Sequence, residues 1–314
     1  MDLTGRHFLT LKDYSKEEIL YLLELSKQLK AEFKANDQKK PVQGKSLGMI
    51  FQKRSTRTRV STEVGMTFLG GHALFLGKDD IQLGVNETLK DTGLVLSRFV
   101  DGILARVFGH NVVVELAENS SVPVINALSD MYHPLQIMAD LMTVQEHLGD
   151  LEGLKLAWVG DGNNVLNSLL IACPKLGMHI HVATPEDYKP DQGVWEYALE
   201  EGKKTGAKVE WTDDPRVAVK DANVIVTDTF ISMGQEAETE KRKKAFLPHY
   251  QVNDELVALA DPNYKFMHCL PRKQYEVTDE IFYSEHSIVF DEAENRLHTV
   301  MAVIVALMGK TTRQ

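Results

Sequence analysis

Short apolar runs alternate along this chain with stretches whose apolar residues recur every three or four positions. Residues 47–51, 73–76, 102–107 and 122–126 have the length and aliphatic character of buried strands. Between them the spacing predicts helices over residues 60–69, 87–99 and 135–148, the first stopped by Gly70-Gly71. An earlier helix opens at Ser15-Lys16-Glu17-Glu18, a capping pattern, and carries Ile19, Leu22, Leu23 and Leu29 as one stripe. The second half repeats the rhythm with strands at 155–159, 179–183, 208–211, 224–227 and 265–269. An apolar-rich helix at 292–308, bearing Val300, Val303, Ile304 and Leu307, closes the chain.

Strands separated by helices predict parallel sheets of right-handed βαβ units, an α/β fold with doubly wound domains. At 314 residues the chain is about two domains long, although one large α/β unit also fits. A fresh βαβ run starts at Leu154, which puts the boundary near Gly149-Asp150. Two such domains would place a ligand in an interdomain cleft, at the carboxyl ends of both sheets.

Composition changes this picture only by exclusion. With 43% apolar and 25% charged residues, the chain is neither disordered nor fibrous. Its net charge of -10 argues against nucleic acid or an anionic membrane as partner, so any bound anion needs a local cluster of positive groups. Two cysteines, Cys173 and Cys269, are too few for a disulfide framework and predict a reducing compartment. No apolar run approaches the roughly 20 residues of a membrane-spanning helix, and the first eighteen residues do not read as a targeting peptide.

Seven places could carry chemistry. Lys53-Arg54-Ser55-Thr56-Arg57-Thr58-Arg59 follows a strand and opens a helix, where free N–H groups, hydroxyls and guanidiniums suit a phosphate or carboxylate. Arg106 ends a strand, and alone it reads as a surface arginine. His133-Pro134-Leu135-Gln136 sets an imidazole at a helix start, with proline at the first helical position. Gly160-Asp161-Gly162-Asn163-Asn164 hints at dinucleotide binding, but the third glycine of that pattern is replaced by Val165; a turn that presents Asn164 is the better reading. Asp228-Thr229-Phe230-Ile231-Ser232-Met233-Gly234 places a carboxylate and a hydroxyl in a glycine-terminated loop that could hold an amino group. His268-Cys269-Leu270-Pro271-Arg272 puts a thiol at a strand end, without the partners a zinc site needs. Glu292 to Arg296 opens the last helix, where Arg296 could meet an anion or a neighbouring acid.

Taken together, STRTR, ARV, HPLQ, GDGNN, DTxxSMG and HCLPR resemble, in order and interval, the aspartate/ornithine carbamoyltransferase family over about residues 9–307. SMG with HCLP is similar to its ornithine-using, eukaryotic-type members. The resemblance implies a carbamoyl-phosphate-binding domain, residues 1–149 completed by a C-terminal helix at 291–314, and an ornithine-binding domain at 150–290. It implies that Ser55, Thr56, Arg57, Thr58 and Arg106 bind the phosphate. His133 and Gln136 would hold the carbamoyl end, with Arg296 and the main chain at Cys269 and Leu270 completing that pocket. Asn164, Ser232 and Met233 would hold the α-amino and α-carboxylate groups of ornithine, and Asp228 and Cys269 would face its δ-amino group. A homotrimer is implied, with Gln82 in the stretch Ile81-Gln82-Leu83-Gly84 reaching the phosphate of a neighbouring subunit. Neither metal nor organic cofactor is expected, and the compartment is the mitochondrial matrix or the cytoplasm. Two departures are Phe230, where many relatives have tryptophan, and Gln82, where some have histidine; both bear on substrate affinity.

The implied reaction makes L-citrulline and phosphate from carbamoyl phosphate and L-ornithine. An alkylamine of pKa near 10.4 is only about 0.04% neutral at pH 7, a cost of about 4.6 kcal/mol that desolvation and a nearby proton acceptor can lower. The acceptor would be Asp228 with Cys269, and His133, Thr58 and Arg106 would serve the developing oxyanion. Competing readings are a carbamoyltransferase for putrescine or an N-acylated ornithine, a non-catalytic anion-binding subunit, and a nucleotide-dependent oxidoreductase.

Overall fold

The computed structural model describes residues 1–79, 81, 86–231 and 236–309. Among these residues the first four strands are β1 (Ser46–Phe51), β2 (His72–Gly77), β3 (Gly102–Arg106) and β4 (Val124–Leu128), all parallel and ordered β2-β1-β3-β4. β1 and β3 are central and almost wholly buried, which is why residues 47–51 and 102–107 read as uninterrupted apolar runs. The pairing steps from Ala105↔Asn126 to Arg106↔Leu128, so Ala127 is an extra residue in β4, a bulge beside the end of β3 where Arg106 stands.

A second parallel sheet holds β5 (Lys155–Val159), β6 (His179–Ala183), β7 (Val209–Thr212), β8 (Val224–Thr227) and β9 (Lys265–His268), ordered β7-β6-β5-β8-β9. Helices α1 (Lys16–Lys34), α2 (Thr56–Phe68), α3 (Leu89–Leu96), α4 (His110–Glu118) and α5 (Pro134–Leu148) accompany the first sheet. Later come α6 (Asn164–Lys175), α7 (Gln192–Thr205), α8 (Pro215–Val219), α9 (Thr239–Phe246), α10 (Asp254–Val257), α11 (Asp279–Phe282) and α12 (Val289–Met308). Ser15 caps α1 by the reciprocal capping box expected from the sequence.

The chain divides into two units, Met1–Met142 with Glu294–Gln314, and Thr143–Ala293. Each unit is a parallel sheet with helices, the doubly wound architecture expected. α12 opens one turn earlier than residue 292, because Ile288 and Val289 are buried and extend the apolar face before the charged stretch begins. Among the described residues no helix is long and apolar enough to cross a membrane.

Both strand orders reverse once: the chain steps outward from β1 to β2 and then back to β3, and outward from β5 to β7 and then back to β8. At such a switch point the loops leaving two neighbouring strands diverge to opposite faces, which leaves a crevice at the carboxyl ends. Chemistry is therefore expected after β1 and β3 in the first unit, and after β5 and β8 in the second.

Candidate active site

In the first unit the loop after β1 runs straight into α2. Ser55 is its N-cap, with an extended backbone and Oγ accepting the Thr58 N–H at 3.2 Å. Thr56, Arg57 and Thr58 form the first turn, where the helix dipole favours an anion. Arg106 ends β3, the strand beside β1, and is buried. His133 lies immediately before α5, whose first residue is Pro134, and Gln136 projects from the first turn.

Arg296 of α12 joins these pieces. Its Nη1 donates to Gln136 Oε1 at 2.5 Å and its Nη2 to Thr58 Oγ1 at 3.2 Å, while Gln136 Nε2 donates to Asp140 Oδ1 at 2.8 Å. The approach of α12 to α2 depends on Gly65, where a Cβ would stand 2.8 Å from Met301 Cγ. Burial holds the His133 pKa well below its ordinary 6.5, and the guanidiniums of Arg296, Arg106 and Arg57 push it the same way. His133 is therefore a neutral imidazole at pH 7, able to donate an N–H to a carbonyl without losing its proton. A helix N-terminus with three guanidiniums around a neutral histidine suits an anion carrying a carbonyl.

The second unit builds the opposite chemistry. Asn163, N-cap of α6 after β5, accepts the N–H groups of Val165 and Leu166 on Oδ1, so its Nδ2 faces away from the helix. That Nδ2 donates to Asp228 Oδ2 at 2.8 Å, and Cys269 Sγ donates to Asp228 Oδ1 at 2.9 Å. The carboxylate after β8 is thus held from the loops after β5 and β9, with lone pairs to spare for an amine.

Behind Cys269, His268 Nδ1 accepts the Leu270 N–H at 2.9 Å, which leaves Nε2 as the N–H that meets buried Glu276 Oε2 at 3.1 Å. Leu270 sits at φ 61, a left-handed geometry that costs a non-glycine residue about 1–3 kcal/mol and that this hydrogen bond helps to hold. Asp228, His268 and Cys269 each offer a possible metal ligand within 4.8 Å of one another. Both His268 nitrogens already serve Leu270 and Glu276, so the set fits a hydrogen-bond relay better than a metal centre.

Asp161, between the two glycines after β5, has its pKa pushed up to about 6, chiefly by burial and also by Asp228, against the pull of Arg242. Gly162 has no room for a side chain, because a Cβ would lie 2.3 Å from the Lys189 carbonyl. The N–H groups of Gly160, Gly162 and Asn163 go to the carbonyls of Ala183, Tyr188 and Asp161. A loop whose donors are already used in this way cannot cradle a pyrophosphate, which removes the oxidoreductase reading.

The first unit brings together Ser55, Thr56, Arg57, Thr58, Arg106, His133, Gln136 and Arg296, and the second brings together Asp228, Cys269 and Leu270. Asn164 follows the cap as the first residue of α6, and Asn163 supplies the amide to Asp228. Gln82, Ser232 and Met233 lie outside the described residues. Sequence reasoning missed Asn163, Asp161, Arg242, His268 and Glu276 as site components. For Asn163 the signal was present, since an asparagine just before an apolar helix is a preferred N-cap.

Two family models match the chain: the carbamoyl-P binding domain of aspartate/ornithine carbamoyltransferase over residues 6–146, and its Asp/Orn binding domain over residues 152–307. The mitochondrial ornithine carbamoyltransferase of Aquarana catesbeiana is 53% identical over 98% of this chain and 87% of its own length. The ornithine carbamoyltransferase of Pyrococcus abyssi is equally similar, 53% over 98% of both chains. The solved ornithine carbamoyltransferase of Pyrococcus furiosus superposes with a TM-score of 0.96 at 51% identity, covering 99% of this chain and 100% of that one.

Proposed function

Since the chain belongs to the aspartate/ornithine carbamoyltransferase family, we propose that it transfers the carbamoyl group of carbamoyl phosphate to the δ-amino group of L-ornithine, giving L-citrulline and phosphate. The observation that carries this reading is the split chemistry of the two switch points, guanidiniums in one unit and a carboxylate–thiol pair in the other. The relatives' names support ornithine over other amines.

Ser55, Thr56, Arg57, Thr58 and Arg106 hold the phosphate, and Gln136, His133 and Arg296 hold the carbamoyl end, a pocket that the main chain at Cys269 and Leu270 completes. Asn164, Ser232 and Met233 hold the amino-acid end of ornithine. The δ-nitrogen lone pair attacks the carbamoyl carbon, charge builds on the carbonyl oxygen, and the neutral His133 N–H, Thr58 and Arg106 stabilise it. The C–O bond to phosphorus then breaks with its electron pair leaving on phosphate, whose charge the α2 N-terminus and Arg57 already balance. The surplus nitrogen proton passes to the Asp228–Cys269 pair. Most of the rate comes from holding two small molecules in line and away from water. The assembly we propose is a homotrimer to which Gln82 of a neighbouring copy contributes, working in the mitochondrial matrix or the cytoplasm.

The test is citrulline formation from carbamoyl phosphate with L-ornithine, aspartate or putrescine, with Cys269→Ala as control. Turnover with ornithine alone, and a loss in the variant, is expected. Turnover with putrescine alone would move the substrate while keeping the phosphate site, and no turnover with any amine would leave an anion-binding protein.

A further inference from the structure

Arg242, on α9, is buried with Asp161; each side chain is only 7% exposed. Its Nη1 lies 3.0 Å from Asp161 Oδ2 and also donates to the Phe230 carbonyl at 2.9 Å. Its Nε meets Glu238 Oε2 at 3.3 Å, and the guanidinium carbon sits 4.8 Å from the centre of the Tyr188 ring. These four contacts come from four separate places: the loop after β5, the loop after β8, the turn before α9, and the turn after β6. If stability alone were served, an apolar side chain of similar volume would do as well, because a buried ion pair seldom repays its desolvation.

The two loops that Arg242 ties are the two that meet at the amine-binding carboxylate. Asp161 stands two residues before Asn163, and Phe230 stands two residues after Asp228. Phe230 also stacks on Phe246 of α9, ring centres 4.8 Å apart and nearly parallel, so the same helix grips this loop twice. We propose that Arg242 is a positioning residue for the amine half of the site: by pinning the loops after β5 and β8 from behind, it fixes the Asn163 amide on Asp228 and so aligns the Asp228 carboxylate with the Cys269 sulfur. The proposal rests on the reading above that this half receives ornithine, and it adds a residue that touches neither substrate.

The experiment varies both substrates for Arg242→Gln, Arg242→Lys and Asp161→Asn. The KM for L-ornithine should rise between about tenfold and a hundredfold in Arg242→Gln, the scale of a misplaced reacting group. The KM for carbamoyl phosphate should stay within about twofold, since the side chains that hold its phosphate belong to the other unit and Arg242 touches neither Cys269 nor Leu270. Arg242→Lys, which keeps the charge but not the two-nitrogen reach that joins Phe230 and Asp161 to Glu238, should fall between. A parallel rise of both constants, or an unchanged ornithine KM, would overturn the proposal.

A second readout needs no ornithine and stands even if the amine is another one. The chain has two cysteines, and Cys173 is fully buried while Cys269 is half-buried. Iodoacetamide should label Cys269 of Arg242→Gln at a rate changed by about tenfold, because the thiol loses its aligned carboxylate, while Cys173 stays protected. Labelling of both cysteines would mean that the variant has only loosened the fold, and an unchanged Cys269 rate would mean that Arg242 does not align Asp228. Either result would sink the idea.

Discussion

The two switch points share one topology and carry opposite chemistry. In the first unit a helix N-terminus and three guanidiniums surround a histidine held neutral; in the second an asparagine, a carboxylate and a thiol are bonded in a row, with a second carboxylate pushed toward neutrality. The backbone provides the same crevice in both, where loops diverge after adjacent parallel strands. What differs is the side chain set on each loop, which suits one to an anion and the other to an amine. Fold and reaction are separate inferences here, and only the second depends on a few positions.

If the two halves divide the labour, each should fail alone. The largest effect is expected from Asp228→Asn, which removes the proton acceptor: turnover should fall by about 10²–10⁴, with carbamoyl phosphate affinity unchanged by calorimetry. A comparable loss of that affinity would erase the division. Next comes Arg296→Met, which breaks two hydrogen bonds from a guanidinium, each contributing about 1.5–3 kcal/mol. Carbamoyl phosphate binding should weaken about a hundredfold or more, with the labelling of Cys269 unmoved. A changed labelling rate would mean that the anion half also sets the thiol.

The smallest effect sharpens the comparison through pH. His133 has its pKa held well below 6.5, and burial of His298 holds it at about 4 despite Glu294. Both bind a proton more readily unfolded, so their contribution is present above pH 6.5 and lost as pH falls through the folded values. Asp161 behaves oppositely: raised from 3.8 to about 6, its contribution is present below pH 3.8 and lost as pH rises through about 6. Between pH 7 and pH 4 the melting temperature of His298→Gln should therefore fall less than that of wild type, and that of Asp161→Asn more. Parallel curves would show that other carboxylates dominate the acid limb.

Much of this was legible in the sequence for reasons of range. Strands buried on both faces announce themselves as apolar runs, and Ser55 to Thr58 is a local device, a cap and first turn written in consecutive letters. His133-Pro134 is similarly local. Arg242 is different, since nothing in its charged helix says that its head will turn inward to Asp161 and the Phe230 carbonyl. Glu276 was equally hidden, and the partner of His268 with it, because a buried histidine–carboxylate pair depends on a loop that doubles back after Leu270. Asn163 was readable as a cap from its place before an apolar helix, since its Oδ1 accepts the N–H groups of Val165 and Leu166, but its bond to Asp228 joins residues 65 apart and was not.

Arg296 belongs to the last helix, yet its partner Thr58 lies 238 residues earlier. During synthesis at about 5–20 residues per second, Thr58 and the α2 N-terminus wait roughly ten to fifty seconds for that guanidinium. The order of translation thus completes this hydrogen-bonded cluster late, although its first residues emerge early. A stalled or truncated chain would expose the α2 N-terminus without Arg296 and leave Gln136 and Thr58 without that donor.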